Sequence, residues 1–192
     1  MLKYSTVVLN KPNIQDFAKE RNETLKGVPT EWVLYLDSDE ILTPELETEI
    51  NNLNPTSEIN GYYVKRVGIA EDLIIRLGRK SAGRWSRCVH EVWKVKGRVG
   101  YLKNHIIHKE EKSIFETINK INFYSTLHAK ANREEGKRAS ILKIIIFPKL
   151  KFIQIYIFKK AYKSGLKGFV FSLLQSFQSY LSWTKLYFLS FS

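Results

Sequence analysis

Apolar and polar residues change rhythm several times along the chain, and each change marks an element. Thr6-Val7-Val8-Leu9 is a short apolar run closed by the turn cluster Asn10-Lys11-Pro12-Asn13, which predicts a strand. From about Gln15 to Lys26 the spacing becomes helical, with Phe17, Ala18 and Leu25 facing inward and Gly27 as the stop. Trp32-Val33-Leu34-Tyr35-Leu36 is then apolar without a break and rich in aromatic and β-branched types. Such a run predicts a strand buried on both faces, as in a parallel or mixed sheet covered by helices. Thr43-Pro44-Glu45-Leu46-Glu47 opens a second helix with a capping hydroxyl, Pro at the first helical position and acids in the first turn, running to about Asn52.

The middle of the chain is strand-like. Gly61 to Val67 and Leu73 to Leu77 read as strands, with a basic loop from Gly78 to Gly83. From Val89 onward alternation places Val89, Glu91, Trp93 and Val95 on one face and His90, Val92 and Lys94 on the other. Lys96 to Leu102 predicts a turn and a short strand, followed by Lys103 to His108. Ser113 and Glu116 stand at capping-box spacing, and a helix is expected from there to about Arg133, with Ile114, Phe115, Ile118 and Ile121 as its stripe. Two apolar blocks complete the chain. Ser140 to Phe158 is interrupted by Lys143, Pro148, Lys149 and Lys151, and Gly168 to Phe191 is diluted by Gln175, Gln178, Lys185 and several Ser, which argues against easy membrane spans.

Strands and helices in this order predict a mixed α/β domain with an appended helical segment, and 192 residues suffice for both. Charge sharpens the division. The formal net charge is +12, yet residues 1–136 hold all 19 acids and 21 of the 31 Lys and Arg, while residues 137–192 hold 10 bases and no acid. We therefore expect a domain over 1–136 and a basic amphipathic helical tail over 137–192. A tail of that sign seeks polyanions, and its aromatic, acid-free composition suits a membrane interface better than nucleic acid, whose binders carry bases among exposed aromatics on a domain face; the alternative is a helical pair that packs on the domain or on a partner. A single cysteine, Cys88, rules out an internal disulfide and fits a reducing compartment. The first residues lack the long apolar core and cleavage site of a signal peptide.

Candidate chemistry concentrates where the buried strand ends, at Asp37-Ser38-Asp39-Glu40. Open α/β sheets bind their ligands at the carboxyl ends of strands. Two carboxylates one residue apart can turn toward one hard cation, although Asp-Ser-Asp is also ordinary turn composition. Arg21 and Asn22, on the preceding helix, could clamp a diphosphate through the planar guanidinium fork; a solvated Arg beside an exposed Asn is the commoner outcome of that composition. Glu91 is the one acid on an otherwise apolar face. It must either be paired, with Arg84 or Arg87 as candidates, or serve as a general base. His90 could orient a substrate or sit at the surface. His105 and His108, three apart, point opposite ways if they lie in a strand, so only one of them can face a site.

Taken together, Asp16 to Leu25 with its Arg-Asn pair, Glu31 to Glu40 with its Asp-x-Asp, Thr43-Pro44-Glu45-Leu46, Ile75-Arg76-Leu77, Gly83-Arg84-Trp85, Val89-His90-Glu91, Gly97 to Leu102 with Asn104 and His108, and the tail Tyr162 to Phe169 resemble family 2 glycosyltransferases of the GT-A fold. The likeness is to the bacterial enzymes that build lipopolysaccharide core and related surface glycans. The resemblance implies a partial GT-A fold, a Rossmann-like mixed sheet flanked by helices, starting after most of the strand-helix-strand that cradles the nucleotide base. It implies inverting transfer of a hexose or heptose from a nucleotide-diphosphate sugar to a hydroxyl of a lipid-linked or cell-surface glycan. A divalent cation, Mg or Mn, would be held by Asp37, Asp39 and His108. Arg21, Asn22, Asp37 and Asp39 would bind the donor, Arg84, Trp85 and His90 the acceptor, and Glu91 would be the base. The expected setting is cytoplasmic, peripheral on the inner face of the plasma membrane, with no nucleic-acid partner. The alternative is a non-catalytic membrane-associated remnant or scaffold of such an enzyme.

Overall fold

The computed structural model describes residues 1–9, 14–87, 91–109 and 113–191. Their internal contacts gather them into two compact units, Met1–Gly68 with Asp72–Glu110, and Ile69–Glu71 with Glu111–Ser192.

The first unit is α/β, as the alternation of elements predicts. Its elements in chain order are β1 (Tyr4–Leu9), α1 (Phe17–Lys26), β2 (Trp32–Asp37), β3 (Glu40–Leu42), α2 (Pro44–Asn51), β4 (Ile59–Val67), β5 (Glu71–Arg79), β6 (Gly83–Ser86), β7 (Val92–Val95) and β8 (Arg98–His108). Six strands form a mixed sheet in the order β1-β2-β5-β4-β8-β3, and β6 and β7 form a separate antiparallel pair. Strand β2 runs parallel to β1, with Tyr4 opposite Trp32 and Leu9 opposite Asp37, and antiparallel to β5.

The unbroken apolar run of β2 is explained by a core on each side of it. Trp32, Leu34 and Leu36 join Leu46 and Ile50 of α2 with Tyr62, Val64, Leu77, Leu102 and Ile106. Val33 and Tyr35 point the other way, into a cluster with Ala18 and Leu25 of α1, Val28, Trp85 and Trp93. All five apolar residues of β2 are buried, and only Asp37 at its end reaches toward solvent. The two flanking helices begin where local chemistry says they should. Asp16 accepts a hydrogen bond from the Lys19 N–H (2.9 Å), and the Thr43 hydroxyl accepts from the Leu46 N–H (3.3 Å) while donating to the His105 carbonyl (2.9 Å).

Two strand expectations change. The residues read as a basic loop from Gly78 to Gly83 are partly sheet, because β5 continues through Arg79 and β6 begins at Gly83. The turn and short strand expected over Lys96 to Leu102 are one 11-residue strand from Arg98 to His108, entered through Gly97 at φ +87°, a conformation that glycine adopts without strain. Pairing lengthens β8: it runs parallel to β4 over most of its course and antiparallel to β3 at its end.

The second unit is helical. It comprises α3 (Ile114–Glu134), α4 (Ile141–Ile153), a π-helical turn (Gln154–Phe158), a 3-10 turn (Ala161–Ser164) and α5 (Gly165–Leu189), and α5 packs on both α3 and α4. The capping box of Ser113 and Glu116 is formed as expected. The expected apolar stripe of α3 is not: Ile121 is buried, but Ile114, Phe115 and Ile118 are exposed. Small residues of α3 do the packing instead, with Ser125, Ala129, Ala131 and Asn132 among its buried positions. Lys185 of α5 ties the pair together by donating to the Asn122 carbonyl and to the side chains of Asn122, Ser125 and Thr126, all at 2.7–2.8 Å. Burial lowers the Lys185 ammonium pKa, since the charged form is the one that loses hydration. Pro148 sits inside α4, and its carbonyl accepts from the Ser176 hydroxyl of α5 (2.8 Å). Residues 69–71 are clipped to the same unit: the Glu71 N–H donates to the Lys159 carbonyl (2.7 Å), the Ser164 hydroxyl to the Ile69 carbonyl (3.0 Å), and Lys160 and Lys163 pair with the Glu71 carboxylate. Among the described residues no helix is long and apolar enough to cross a membrane.

Gly168 allows the start of α5 to pass against the backbone of the preceding turn, because a Cβ there would overlap the Ala161 carbonyl. The backbone on both sides is fixed by packing, so Gly168→Ala is expected to destabilise the helical unit by about 2 kcal/mol. Thermal denaturation followed at 222 nm checks this; a variant that melts with the parent contradicts the close approach.

Candidate active site

Strand β2 delivers Asp37 to its carboxyl end, and a two-residue turn, Ser38 and Asp39, leads straight into β3. The turn is closed by its own sequence: the Asp37 N–H donates to the Glu40 carboxylate (2.9 Å). Strand β3 is only three residues long, but it pairs with the end of β8 so that Glu40 lies opposite His108. The Lys109 N–H also donates to the Asp39 carbonyl (2.8 Å). This register brings the His108 imidazole to Asp39, with Nε2 3.5 Å from Oδ1. Gly68 backs the histidine, since a Cβ at 68 would come within 3.0 Å of the His108 carbonyl and 3.3 Å of its Cβ. Of the two histidines weighed from the sequence, His108 is therefore the one beside the acids.

Asp37 has different company. Arg21 pairs with its Oδ1, and Arg76 donates to its Oδ2 at 2.5 Å. The same Arg76 Nη2 reaches Glu40 Oε1 at 2.6 Å, and Arg66 approaches that oxygen at 3.2 Å while reaching Asp72 at 3.3 Å. Arg21 extends the network in the other direction, its Nε donating to Glu91 Oε1 at 3.1 Å. The reading of Arg21 as a solvated residue is overturned: it is 1% exposed. Its guanidinium lies 4.6 Å from the Trp85 ring centre and 5.4 Å from that of Tyr35, where the aromatic faces replace part of its lost hydration. The Tyr35 hydroxyl donates to the Arg21 carbonyl (2.9 Å), and burial pushes the phenol pKa up to about 12.

Burial by itself would raise the Asp37 pKa, but the guanidiniums of Arg76 and Arg21 outweigh it and hold the group at about 2. Arg76 shows the reciprocal balance, with burial lowering its pKa and the Asp37 and Glu40 carboxylates holding it above the ordinary value.

The other expected residues divide. Glu91 is paired, as an acid on an apolar face must be, with Arg21 in place of the Arg84 or Arg87 considered from the sequence. Asn22 spends its side-chain amide on the backbone of Trp85, donating to the carbonyl and accepting from the N–H at 2.9 Å each, and so pins β6 to α1. Trp85, expected at an acceptor surface, lies in the core at 3% exposure, stacked on Trp93 and edge-on to Tyr35. Arg84 points outward from β6. His90 lies outside the described residues, as does Cys88. The sequence reading missed Arg76 and Glu40 as members of the network. Their signal was present: Arg76 is a lone base in the apolar run Leu73 to Leu77, the mirror image of the argument applied to Glu91.

As a cation site the acids are unequal. Among the described residues no group of three or more His, Cys, Asp and Glu side chains gathers into a metal cage. Asp39 and His108 offer a carboxylate oxygen and an imidazole nitrogen side by side, a donor pair suited to Mg or Mn once phosphate and water complete the shell. Both oxygens of Asp37 face guanidiniums.

The depressed Asp37 pKa carries a stability consequence with a definite sign. Folded at about 2 against an ordinary 3.8, the carboxylate contributes about 2 kcal/mol that is present in full above pH 4 and lost as pH falls through 2. Urea denaturation of the parent and Asp37→Asn is expected to show a stability gap that is constant from pH 7 to 5 and narrows between pH 4 and 2. A gap independent of pH across that window contradicts the clamp.

Comparison with known proteins gives the site a context. No protein-family model matches the chain. It is similar to the lipopolysaccharide core biosynthesis glycosyltransferase LpsC of Rhizobium meliloti, 30% identical over 186 residues that cover 89% of this chain and 69% of that protein. It is also similar to uncharacterized glycosyltransferases of Rickettsia typhi and Rickettsia prowazekii, 24% and 23% identical over 180 residues, covering 81% of this chain and 62% of each relative. At that identity and coverage this chain belongs to the family of glycosyltransferases that includes LpsC.

Proposed function

We propose that the carboxyl end of β2 is a GT-A sugar-transfer site of the family 2 type, moving a hexose or heptose from a nucleotide-diphosphate sugar to a hydroxyl of a lipid-linked or cell-surface glycan with inversion. The observation that carries this reading is that Glu91 from the entry to β7, Arg21 from α1 and Asp37 at the end of β2 are joined by ion pairs, while the turn after Asp37 sets Asp39 beside His108 from the end of β8. The name of LpsC supports a lipopolysaccharide-core acceptor.

In this reading Asp39 and His108 hold the divalent cation, Mg or Mn, which when bound neutralises the charge of the departing nucleoside diphosphate. Arg21 holds Glu91 by one oxygen and Asp37 by another side of its planar fork, so the base cannot swing away from the acids. Glu91 accepts the proton of the acceptor hydroxyl as that oxygen attacks the anomeric carbon. Asn22 keeps β6, and with it the aromatic platform under Arg21, in register with α1. Asp39→Asn and Glu91→Gln are each expected to lower turnover at least about 100-fold, read as nucleoside diphosphate release over a panel of nucleotide sugars with Mn²⁺. Unchanged turnover in either variant removes that residue from the chemistry.

The helical unit serves, in the same reading, as a peripheral anchor on the anionic inner face of the plasma membrane. Supporting this are the absence of any acid after Glu135 in the sequence and the exposure of Leu142, Phe158, Leu166 and Phe188, together with that of Lys149 and Lys167. Each lysine near an anionic surface contributes about 1 kcal/mol. Replacing Lys149 and Lys167 by Gln is therefore expected to weaken flotation with phosphatidylglycerol vesicles by about 30-fold. Binding that ignores these lysines, or equal binding to neutral vesicles, refutes an electrostatic anchor.

A further inference from the structure

Arg76 sits at the centre of the acidic turn, 5% exposed, with one nitrogen on two carboxylates: Asp37 Oδ2 at 2.5 Å and Glu40 Oε1 at 2.6 Å. We propose that Arg76 is a positioning residue that, anchored by Glu40, fixes the Asp37 carboxylate against Arg21 and withholds it from the catalytic cation, leaving Asp39 and His108 as the protein ligands. The inference rests on the metal-assisted reading above and concerns which half of Asp-x-Asp serves the metal.

Three observations carry it. First, the two oxygens of Asp37 are divided between two guanidiniums, Oδ1 to Arg21 and Oδ2 to Arg76. A divalent cation on either oxygen would stand against a fixed positive charge at contact distance, in a site too buried for water to screen the repulsion fully. Second, Arg76 is itself held in place. Glu40 has no exposed side-chain surface, accepts from the Asp37 N–H through Oε2, and carries Arg66 together with Arg76 on Oε1. Asp37, Arg76 and Glu40 therefore form a closed ring that includes the backbone of the turn, and Asp37 cannot rotate without breaking it. Third, Asp39 is oriented by a different element. Its carbonyl accepts from Lys109 and its carboxylate meets His108, both at the end of β8. The two acids of the motif are thus assigned to different partners by different strands.

A guanidinium is suited to this task because the two N–H bonds of its Nη2 leave that nitrogen at fixed angles, one for each carboxylate, which a freely rotating lysine ammonium matches with less directional hold. Removing it frees one oxygen of Asp37 without deleting the carboxylate. The expected result is counterintuitive for a buried ion pair: Arg76→Gln should bind Mn²⁺ more tightly than the parent while turning over more slowly, because Asp37 becomes an additional ligand and no longer orients Arg21.

The experiment is Mn²⁺ binding to the full chain with a nucleoside diphosphate present, measured by electron paramagnetic resonance of the free ion, on the parent and on Asp37→Asn, Asp39→Asn, His108→Ala, Arg76→Gln and Arg76→Lys. Asp39→Asn and His108→Ala are expected to raise the Mn²⁺ Kd at least tenfold, and Asp37→Asn to leave it within about twofold. Arg76→Gln should lower the Kd severalfold, a gain abolished in Arg76→Gln/Asp37→Asn, and Arg76→Lys should fall between Gln and the parent. A merely structural Arg76 would lower Tm without tightening Mn²⁺ binding, so a Kd unchanged or raised in both folded Arg76 variants overturns the inference. So does an Asp37→Asn loss as large as that of Asp39→Asn, which would make both acids ligands and leave metal-assisted transfer standing. A parent chain that takes up no Mn²⁺ at all overturns this inference and the metal reading together.

Discussion

Everything at the end of β2 depends on one carboxylate being shared by two arginines. Asp37 by itself would be an acid left at the edge of a buried strand, and Arg21 and Arg76 would be charges in a core. Each is costly uncompensated, by several kcal/mol, and the three offset one another together with Glu91 on Arg21 and Glu40 on Arg76. Joined, they become a fixed electrostatic frame that runs from Glu91 through Arg21, Asp37 and Arg76 to Glu40, Arg66 and Asp72. Such a frame adds little net stability over well-packed apolar residues. Its value lies in position: each oxygen of Asp37 and of Glu40 has its own fixed donor.

The frame is positioned by the period of a strand. Val33, Tyr35 and Asp37 alternate onto one face of β2, and the apolar pair of that set packs under α1 and the Trp85-Trp93 stack. The acid that ends the series is therefore carried to the side where α1 presents Arg21. The tryptophans matter twice, filling the space between α1 and the sheet and laying an aromatic face beneath the guanidinium. Asn22, one residue on from Arg21, ties the β6 backbone to the same helix. An Arg-Asn pair that family likeness assigns to the donor is also a brace in the folded chain, one member for the charges and the other for the platform.

How much of this could be read from residues alone follows from the range over which each signal acts. Local signals were legible. The continuous apolar run of β2 announced burial on both faces, Thr43-Pro44 announced a helix, and Ser113 with Glu116 announced another, since each depends on neighbours within a turn or two. The gathering of Asp39 and His108 was legible only through family likeness, because the β3 to β8 register that produces it links residues far apart in sequence. The partner of Glu91 was misjudged for the same reason. Arg84 and Arg87 were near in sequence, whereas Arg21 comes from 70 positions away. Trp85 enters the acceptor set through family likeness alone, and what buries it is an equally distant α1. The exposed stripe of α3 failed differently: periodicity says which residues share a face, not which face finds a partner, and α5 chose the small residues.

The division of labour within Asp-x-Asp is a consequence of geometry more than of residue type. Successive residues of a strand point to opposite faces, but Asp37 and Asp39 are two apart and would point the same way if β2 continued. They differ because the strand stops between them. Glu40 turns back to cap the Asp37 N–H and starts β3 at once, so Asp39 falls in the turn and takes its orientation from β8. A single acid, Glu40, thereby separates its two neighbours, closing the turn through one oxygen and seating Arg76 through the other. Two identical side chains then meet different surroundings: both oxygens of one face fixed guanidiniums, and the other lies beside the His108 imidazole. The motif is symmetric as written, and the fold makes it asymmetric before any ligand arrives.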